Sequence, residues 1–309
     1  MKILIVCSGN SGKISPFIVE QVDSIAEIYG VNFKYLAVYG KGAKGYLKHL
    51  PELKKMITDY QPDLIHAHYG MTGLLANFQR RIPVITTYHG SDIDETKVIF
   101  LSKLSIQLSA WNIFVSERNR IKSGTKHKFS IIPCGVNVET FQPMPKEIAR
   151  EKFGFSMDEK LVLFAGRFND RIKNSGLAIK AVRLLPEVRL IELKGYSRQE
   201  VAELMNAVDV CLMTSFTEGS PQFIKEAMAC NCPIVSVDVG DVKYLTEGVD
   251  GCFICNTYQE VEIAEKLKAA FQLNIRTNGR KRILEKNLDL KSIADQIFQI
   301  YNQISNRTR

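Results

Sequence analysis

The sequence predicts an α/β protein with two doubly wound, parallel-sheet domains that face a cleft. Its length of 309 residues exceeds the ~250–300 that one hydrophobic core usually supports. Short β-branched segments alternate with longer amphipathic ones, which is typical of parallel sheets covered by helices on both faces. A polar stretch between Asn137 and Glu159, with Pro143 and Pro145 near its start, separates two such series. In folds of this kind, ligands bind at the carboxyl ends of the strands.

The predicted elements follow from hydrophobic periodicity. In the first series the strands are Ile3–Cys7, Phe33–Val38, Leu64–His66, Val84–Tyr88, Asn112–Val115 and Ser130–Ile132. In the second they are Leu161–Ala165, Val188–Leu193, Val208–Met213, Pro233–Val237 and Cys252–Ile254. Helical spacing covers Pro16–Tyr29, Leu177–Leu185, Glu200–Ala207, Gln222–Ala229, Val261–Leu273 and the tail Leu290–Ile304. We therefore expect domains at 1–142 and 143–289 and a C-terminal helical segment at 290–309.

Composition narrows the partners. A formal net charge of +8 suits anionic partners such as nucleotides or an anionic membrane face. The sequence has no zinc-finger or helix-turn-helix pattern, so nucleic acid is not an expected partner. Seven cysteines without CxxC spacing predict buried thiols in a reducing compartment. The first apolar run is too short for a signal peptide, and none approaches the ~20 residues of a membrane span. We expect a cytoplasmic protein, with attachment to the inner face of the membrane as a subsidiary hypothesis.

Two glutamates, Glu218 and Glu226, stand eight positions apart around a predicted helix start. Ser220 is a suitable N-cap, and the backbone N–H groups of Gly219–Phe223 can bind phosphate. Glu226 lies in the second helical turn, where it could bond ribose hydroxyls, and Glu218 lies on the loop nearer a sugar. The alternative is a solvated glutamate pair, because acidic residues are common near helix N-termini.

Two cations, Arg167 and Lys173, follow the strand that ends at Ala165 and the turn at Gly166. A guanidinium can form a fork with phosphate oxygens, and an ammonium adds a point charge. The pattern indicates a diphosphate site at the carboxyl end of the strand. The alternative is an ordinary basic loop on a basic protein.

Several weaker signals lie in the first half. His89 is placed on a turn at a strand end, and Gly12 lies in the turn after the first strand, where backbone can approach a ligand closely. His66 and His68 share one strand end but have no evident third ligand, so we do not predict a zinc site. The short acidic triplet Asp92-Ile93-Asp94 is too common a pattern to indicate a metal.

In combination, these segments resemble the retaining glycosyltransferases of family 4, which have the GT-B architecture of two Rossmann-like domains. The chain is similar to a short member. The resemblance spans nearly the whole chain, and its motifs occur in the family's order: Ile132-Pro133-Cys134-Gly135-Val136-Asn137 with Phe141 and Pro143; Phe164-Ala165-Gly166-Arg167 with Lys173; Glu218-Gly219 through Glu226-Ala227-Met228-Ala229-Cys230; Pro233–Gly240; and Glu247-Gly248-Val249-Asp250-Gly251.

The resemblance implies a role for each matching residue. Glu218 would contact the transferred sugar, and Glu226 would hold the ribose. His89 would line the reaction centre, and Gly12 would approach donor and acceptor. The base would contact the turn at Gly195 and Tyr196. The donor diphosphate would contact Arg167, Lys173, Gly219, Ser220 and Phe223. The tail helix would cross back onto the N-terminal domain.

The implied activity is transfer of a sugar from a UDP- or GDP-sugar to an acceptor hydroxyl, with retention of anomeric configuration. The acceptor would be a polysaccharide, lipid-linked or other glycan of cell-envelope biosynthesis, and neither a cofactor nor an obligatory metal is expected. One β-α unit of the family pattern is missing between Leu185 and Ser197. Two alternatives stay open. A GT-B sugar-nucleotide epimerase would share the donor site of the second domain and would produce a C2 epimer without acceptor. A non-catalytic sugar-nucleotide-binding protein, which the missing unit motivates, would bind UDP or GDP without turnover.

Overall fold

Each half of the chain folds around its own parallel sheet. The structure, a computed structural model, describes residues 1–306 except for the side chains of Thr96 and Lys97. The first unit comprises Met1–Gly135 together with the helix Leu290–Asn306, and the second comprises Val136–Asp289. The predicted fold class of two parallel-sheet α/β domains is confirmed.

The sheet of the first unit has six strands in the order β2-β1-β3-β4-β5-β6. Their bounds are β1 Lys2–Ser8, β2 Asn32–Val38, β3 Leu64–His68, β4 Val84–Tyr88, β5 Trp111–Phe114 and β6 Phe129–Ile131. The helices between them are α1 Pro16–Tyr29, α2 Gly42–Leu47, α3 Leu50–Tyr60, α4 Gly70–Asn77, α5 Ser91–Asp94, α6 Thr96–Leu108 and α7 Glu117–Ser123.

Side chains of β1 show why this sheet needs helices on both faces. Ile3 and Ile5 belong to one hydrophobic cluster, and Leu4 and Val6 belong to another. All four are fully buried. Since successive strand residues point to opposite faces, an unbroken apolar run requires cover on both sides.

The C-terminal helix α15 (Leu290–Asn306) supplies part of that cover by packing on α1. The Tyr29 hydroxyl donates to the Asp295 carboxylate at 2.5 Å, and the Tyr29 ring stacks on Phe298 at a centroid distance of 3.7 Å. At the sheet, the Tyr301 hydroxyl lies 2.6 Å from Nδ1 of the buried His66. The helix is therefore an integral part of the first unit.

The second unit has a five-stranded sheet in the order β11-β10-β9-β7-β8, counted over the described part of the chain. The strands are β7 Lys160–Phe164, β8 Val188–Glu192, β9 Val210–Met213, β10 Ile234–Val237 and β11 Cys252–Cys255. The helices are α8 Lys146–Phe153, α9 Ser175–Arg183, α10 Arg198–Ala207, α11 Gln222–Ala229, α12 Val242–Thr246, α13 Glu260–Leu273 and α14 Gly279–Glu285. A short connection leads from β8 to α10, where the sequence lacks the further β-α unit.

The division between the units precedes the boundary that we predicted after residue 142. The backbone N–H of Val136 donates to the Leu288 carbonyl at 2.9 Å, and Phe141 is fully buried in the core of the second unit. Arg280 also donates to the Phe141 carbonyl at 2.8 Å. These contacts join distant parts of the chain, and the local proline pattern does not report them.

Two further features concern the described residues as a set. None of their helices combines the length and apolar composition needed to cross a bilayer. All seven cysteines are free thiols, and all except Cys252 are buried.

Candidate active site

The loop after β7 carries the two cations predicted to hold a diphosphate. Arg167 is exposed just beyond Gly166, and the Lys173 side chain is 27% exposed. A Cβ atom at Gly166 would lie 2.8 Å from Cγ of Lys173, so glycine is required for the lysine to pass this close. The loop thus directs Lys173 towards the neighbouring strand end.

The neighbouring loop runs between β9 and α11, and hydrogen bonds connect it to the loop after β7. The Thr214 hydroxyl lies 3.0 Å from the carbonyl oxygens of both Lys173 and Asn174. The N–H of Phe216 donates to the Ile172 carbonyl at 2.9 Å. Because β9 pairs with β7, both loops emerge at the same edge of the sheet.

This arrangement brings two predicted site residues into direct contact. The Lys173 ammonium donates to Oε1 of Glu218 at 2.6 Å, and the Glu218 side chain is only 15% exposed. The residue predicted to bind phosphate is therefore paired with the residue predicted to contact the sugar.

The start of α11 corrects one expectation. We predicted Ser220 as the N-cap, but the cap is Pro221, whose ψ of 120° is extended, and the helix begins at Gln222. The cap makes no side-chain hydrogen bond, and Ser220 Oγ instead accepts from the Lys225 ammonium at 3.2 Å. Gly219 lies on the loop and Phe223 in the first helical turn, as expected.

Glu226 lies in the second turn of α11 and is almost fully buried. Its Oε1 is 2.7 Å from Nη1 of Arg198, and the two side chains are 5% and 31% exposed. The Arg198 guanidinium also lies 4.6 Å from the centre of the Phe141 ring. Sequence reasoning missed Arg198, although its place directly after the capping-box residue Ser197 put it beside the turn predicted to contact the base.

That turn connects β8 to α10. Gly195 has a φ of +84°, a left-handed conformation that favours glycine. Tyr196 is 37% exposed, and its ring meets Phe153 edge-on at 6.2 Å. Both residues lie beside the N-terminus of α10, next to Arg198.

In the first unit, His89 is surrounded by aromatic rings. Its Nε2 lies 3.1 Å from Nδ1 of His68, and its Nδ1 lies 3.6 Å from the Cys134 thiol. The Phe17 and Tyr69 rings lie at centroid distances of 5.1 and 4.6 Å. Burial and the two neighbouring histidines lower the pKa of His68 well below its usual value. His89 is thus held by side chains from several elements.

The other polar groups near His89 have structural partners. His66 is fully buried between Tyr301 and the Thr87 hydroxyl, and burial lowers its pKa to about 3. The Asp92 carboxylate accepts from the backbone N–H groups of Gly70, His89 and Gly90, while burial raises its pKa to about 6. Across the described residues, no three His, Cys, Asp or Glu side chains are grouped as metal ligands.

A cavity of about 620 Å³ opens beside Asp92 and Tyr69 within the first unit. It was not predicted from the sequence, because it is assembled from four separate loops and helix starts. Gly12 lies on one of these loops with a φ of +84° and open space around it. The polar lining includes Ser8, Asn10, Ser11, Lys41, Tyr46 and Ser91, and the apolar lining includes Met71, Val98 and Leu101.

Both units match models of known protein families. The family model described as Glycosyltransferase Family 4 matches residues 5–140, and the model described as Glycosyl transferases group 1 matches residues 187–272. The putative teichuronic acid biosynthesis glycosyltransferase TuaC of Bacillus subtilis is 26% identical over 220 residues. That match covers 60% of this chain and 56% of TuaC. The chain spans about half the length of the curated relatives it matches.

Solved structures share the fold at low sequence identity. Sucrose-phosphate synthase from Thermosynechococcus elongatus matches with a TM-score of 0.85 and 18% identity, covering 98% of this chain and 99% of that one. Anabaena HepE in complex with UDP matches with a TM-score of 0.77 and 18% identity, covering 98% and 100%. The first unit therefore matches a Glycosyltransferase Family 4 domain, the second matches a Glycosyl transferases group 1 domain, and the whole-chain neighbours share the GT-B fold.

Proposed function

We propose that this chain transfers a sugar from a nucleoside-diphosphate sugar to an acceptor hydroxyl, with retention of anomeric configuration and no obligatory metal. The observation that carries the proposal is the contact between Lys173 and Glu218, at 2.6 Å, beside the start of α11. It joins a cation, a carboxylate and a helix N-terminus at one sheet edge. Such an edge can bind a phosphate and a sugar hydroxyl side by side.

The donor diphosphate would contact Arg167, Lys173 and the backbone of the loop before α11. A charged hydrogen bond contributes about 1.5–3 kcal/mol, so two cations would contribute about 3–6 kcal/mol. If expressed only in the transition state, as the leaving group gains charge, this amounts to about two to four powers of ten in rate. Glu226, positioned by Arg198, would accept from the ribose hydroxyls.

Retention would follow from attack on the leaving-group side. The acceptor oxygen forms its bond to the anomeric carbon as the bond to the diphosphate oxygen breaks, and the acceptor proton passes to the departing phosphate. Glu218 would hold a hydroxyl of the transferred sugar, and His89 would line the reaction centre. HepE is described in complexes with UDP and with UDP-glucose, which supports a UDP-sugar as the donor for this chain and GDP-sugar as the alternative.

The cavity near His89 supports a glycan acceptor, including a lipid-linked one. Its hydroxyl and amide groups suit sugar hydroxyls, and Met71, Val98 and Leu101 form an apolar part that suits a hydrocarbon segment. Transfer to alkyl glycosides of increasing chain length would test this. A KM that is independent of chain length would exclude the lipid-linked class.

An anionic membrane surface is the second proposed partner. On α6 and α7, the exposed fractions of Phe100 and Ile121 are 75% and 61%. Among the described basic side chains of α6, α7 and the segment that follows α7, two are ion-paired, Arg120 with Glu117 and Lys122 with Asp94. The remaining basic side chains, all exposed, are Lys103, Arg118, Lys126, His127 and Lys128. Sedimentation with anionic and with neutral vesicles tests the proposal, and equal binding to both would exclude it.

Calorimetric titration with UDP, GDP and ADP tests the donor assignment. We expect binding of UDP or GDP, and loss of donor-dependent transfer in Arg167→Ala and in Glu226→Ala. Near-normal turnover in both variants would show that the donor site lies elsewhere.

A further inference from the structure

One buried lysine takes no part in the proposed donor contacts. Lys225 lies on α11 immediately before Glu226, and its side chain is fully buried. An ammonium group is strongly disfavoured in a protein interior unless polar or charged groups surround it. Its Nζ lies 3.2 Å from Oγ of Ser220, on the loop that leads into α11.

The second part of this arrangement is Asp241, which follows β10 and immediately precedes α12. Oδ1 of Asp241 is buried and has no hydrogen-bond partner among the described residues. Burial raises the pKa of Asp241 to about 6, while the Lys225 charge and a hydrogen bond from Ser220 act in the opposite direction. The Ser220 hydroxyl therefore lies between the lysine, from which it accepts, and the aspartate.

The backbone of Gly240, next to Asp241, packs closely against the same loop. Gly240 has a φ of +59°, and a Cβ atom there would lie 2.7 Å from the carbonyl oxygen of Gly219 and 2.9 Å from that of Glu218. The glycine thus lets the β10–α12 connection pack directly against the peptide that follows Glu218. Charge, hydroxyl and backbone contacts converge on three consecutive residues.

We propose that Lys225 and Asp241 are positioning residues that act through Ser220 to hold the Glu218–Ser220 loop in the orientation that receives the donor sugar. The inference rests on the proposed function for the identity of the ligand. The ordering of the loop can be measured without any ligand.

The first measurement is amide hydrogen exchange of residues 215–222 in the ligand-free protein. Lys225→Met and Asp241→Asn should each accelerate exchange in this segment about tenfold, since a charge-assisted hydrogen bond is lost. Lys243→Met, at an exposed lysine on α12, is the matched control and should leave exchange unchanged. Unchanged exchange in both buried variants would overturn the inference.

The second measurement separates nucleotide binding from sugar placement. With UDP-glucose as the probe, the kcat/KM for UDP release should fall about 10- to 100-fold in Lys225→Met, while the Kd for UDP changes less than about threefold. Equal losses of UDP affinity and turnover would indicate general damage to α11 and would refute the positioning role. If the wild-type protein binds neither UDP nor GDP, the proposed donor site fails, while the exchange result still decides whether this pair orders the loop.

Two further variants cover the case in which Lys225→Met does not fold. Ser220→Ala removes only the bridging hydroxyl, at a partly exposed position. Gly240→Ala leaves both charges in place but strains the backbone and displaces the Gly219 carbonyl. Both should show faster loop exchange, and slow exchange in both would contradict the proposal.

Discussion

Replacing Arg198 by methionine tests the electrostatic basis of the candidate donor site. The variant removes the ion pair with Glu226, whose side chain is 5% exposed, and the contact with the Phe141 ring. Breaking a buried pair can cost about 3–5 kcal/mol. Since Arg198 is 31% exposed and water reaches it, we expect a smaller loss, about 1.5–3 kcal/mol in the free energy of unfolding.

Thermal and urea unfolding at neutral pH measure this loss. For a domain of this size, each kcal/mol lowers Tm by about 2–4 °C, so the expected decrease is about 3–12 °C. Lys281→Met is the matched control, because Lys281 and Glu285 form an exposed pair at 3.7 Å in the same unit. Its removal should cost less than about 0.5 kcal/mol.

A double-mutant cycle then separates the ion pair from simple loss of packing. Glu226→Gln removes the buried charge, so Arg198→Met should be less harmful in that background by about 1–2 kcal/mol. The reasoning is refuted if Arg198→Met resembles the Lys281 control, or if the two substitutions at the pair are additive.

Three other variants test separate parts of the structure. Glu218→Gln should tighten UDP binding severalfold, because it frees the Lys173 charge for phosphate, and it should lower the rate of transfer. The control Glu247→Gln, at an exposed glutamate, should change neither quantity. Weaker UDP binding in Glu218→Gln would contradict the ion-pair argument. His66, with its pKa lowered to about 3, stays neutral in the folded state while the unfolded chain takes up a proton below its usual value of 6.5. The free energy of unfolding should therefore fall by about 1.4 kcal/mol per pH unit as the pH decreases from 6.5 towards 3. In His66→Gln the midpoint of urea unfolding should depend less steeply on pH than in the wild type. Tyr301→Phe removes the hydroxyl bonded to His66 and should lower the free energy of unfolding by about 1–2 kcal/mol, measured by thermal unfolding. An unchanged Tm would show that this hydrogen bond does not help to hold α15.

Local patterns predicted two amphipathic helices that have a proline at or just before their start. Pro16–Tyr29 and Gln222–Ala229 have the bounds expected from the sequence. Helix α4 (Gly70–Asn77) did not stand out, because every residue from Thr72 to Asn77 is buried and the helix has no polar face. Periodicity reports the contrast between two faces, so it fails where both faces are covered.

The sequence likewise predicted only part of the candidate site. Motif order and residue type predicted Lys173, Glu218 and Glu226, since each follows a predicted strand or helix start. The Arg198–Glu226 contact could not be predicted from spacing, because Arg198 follows β8 and Glu226 follows β9, and β7 lies between these strands in the sheet. Contacts of this kind depend on strand order, which a single sequence does not report.

The three carboxylates near the candidate donor site share one physical consequence. Glu218 forms an ion pair with Lys173, Glu226 forms one with Arg198, and the charge of Lys225 acts electrostatically on Asp241. These three cations near one sheet edge would repel one another while the site is empty, and partial burial strengthens that repulsion. Pairing each cation with a carboxylate cancels this repulsion. A diphosphate that takes over the Lys173 ammonium would release Glu218 for a sugar hydroxyl, so the pair that stabilises the empty site also couples phosphate binding to sugar binding.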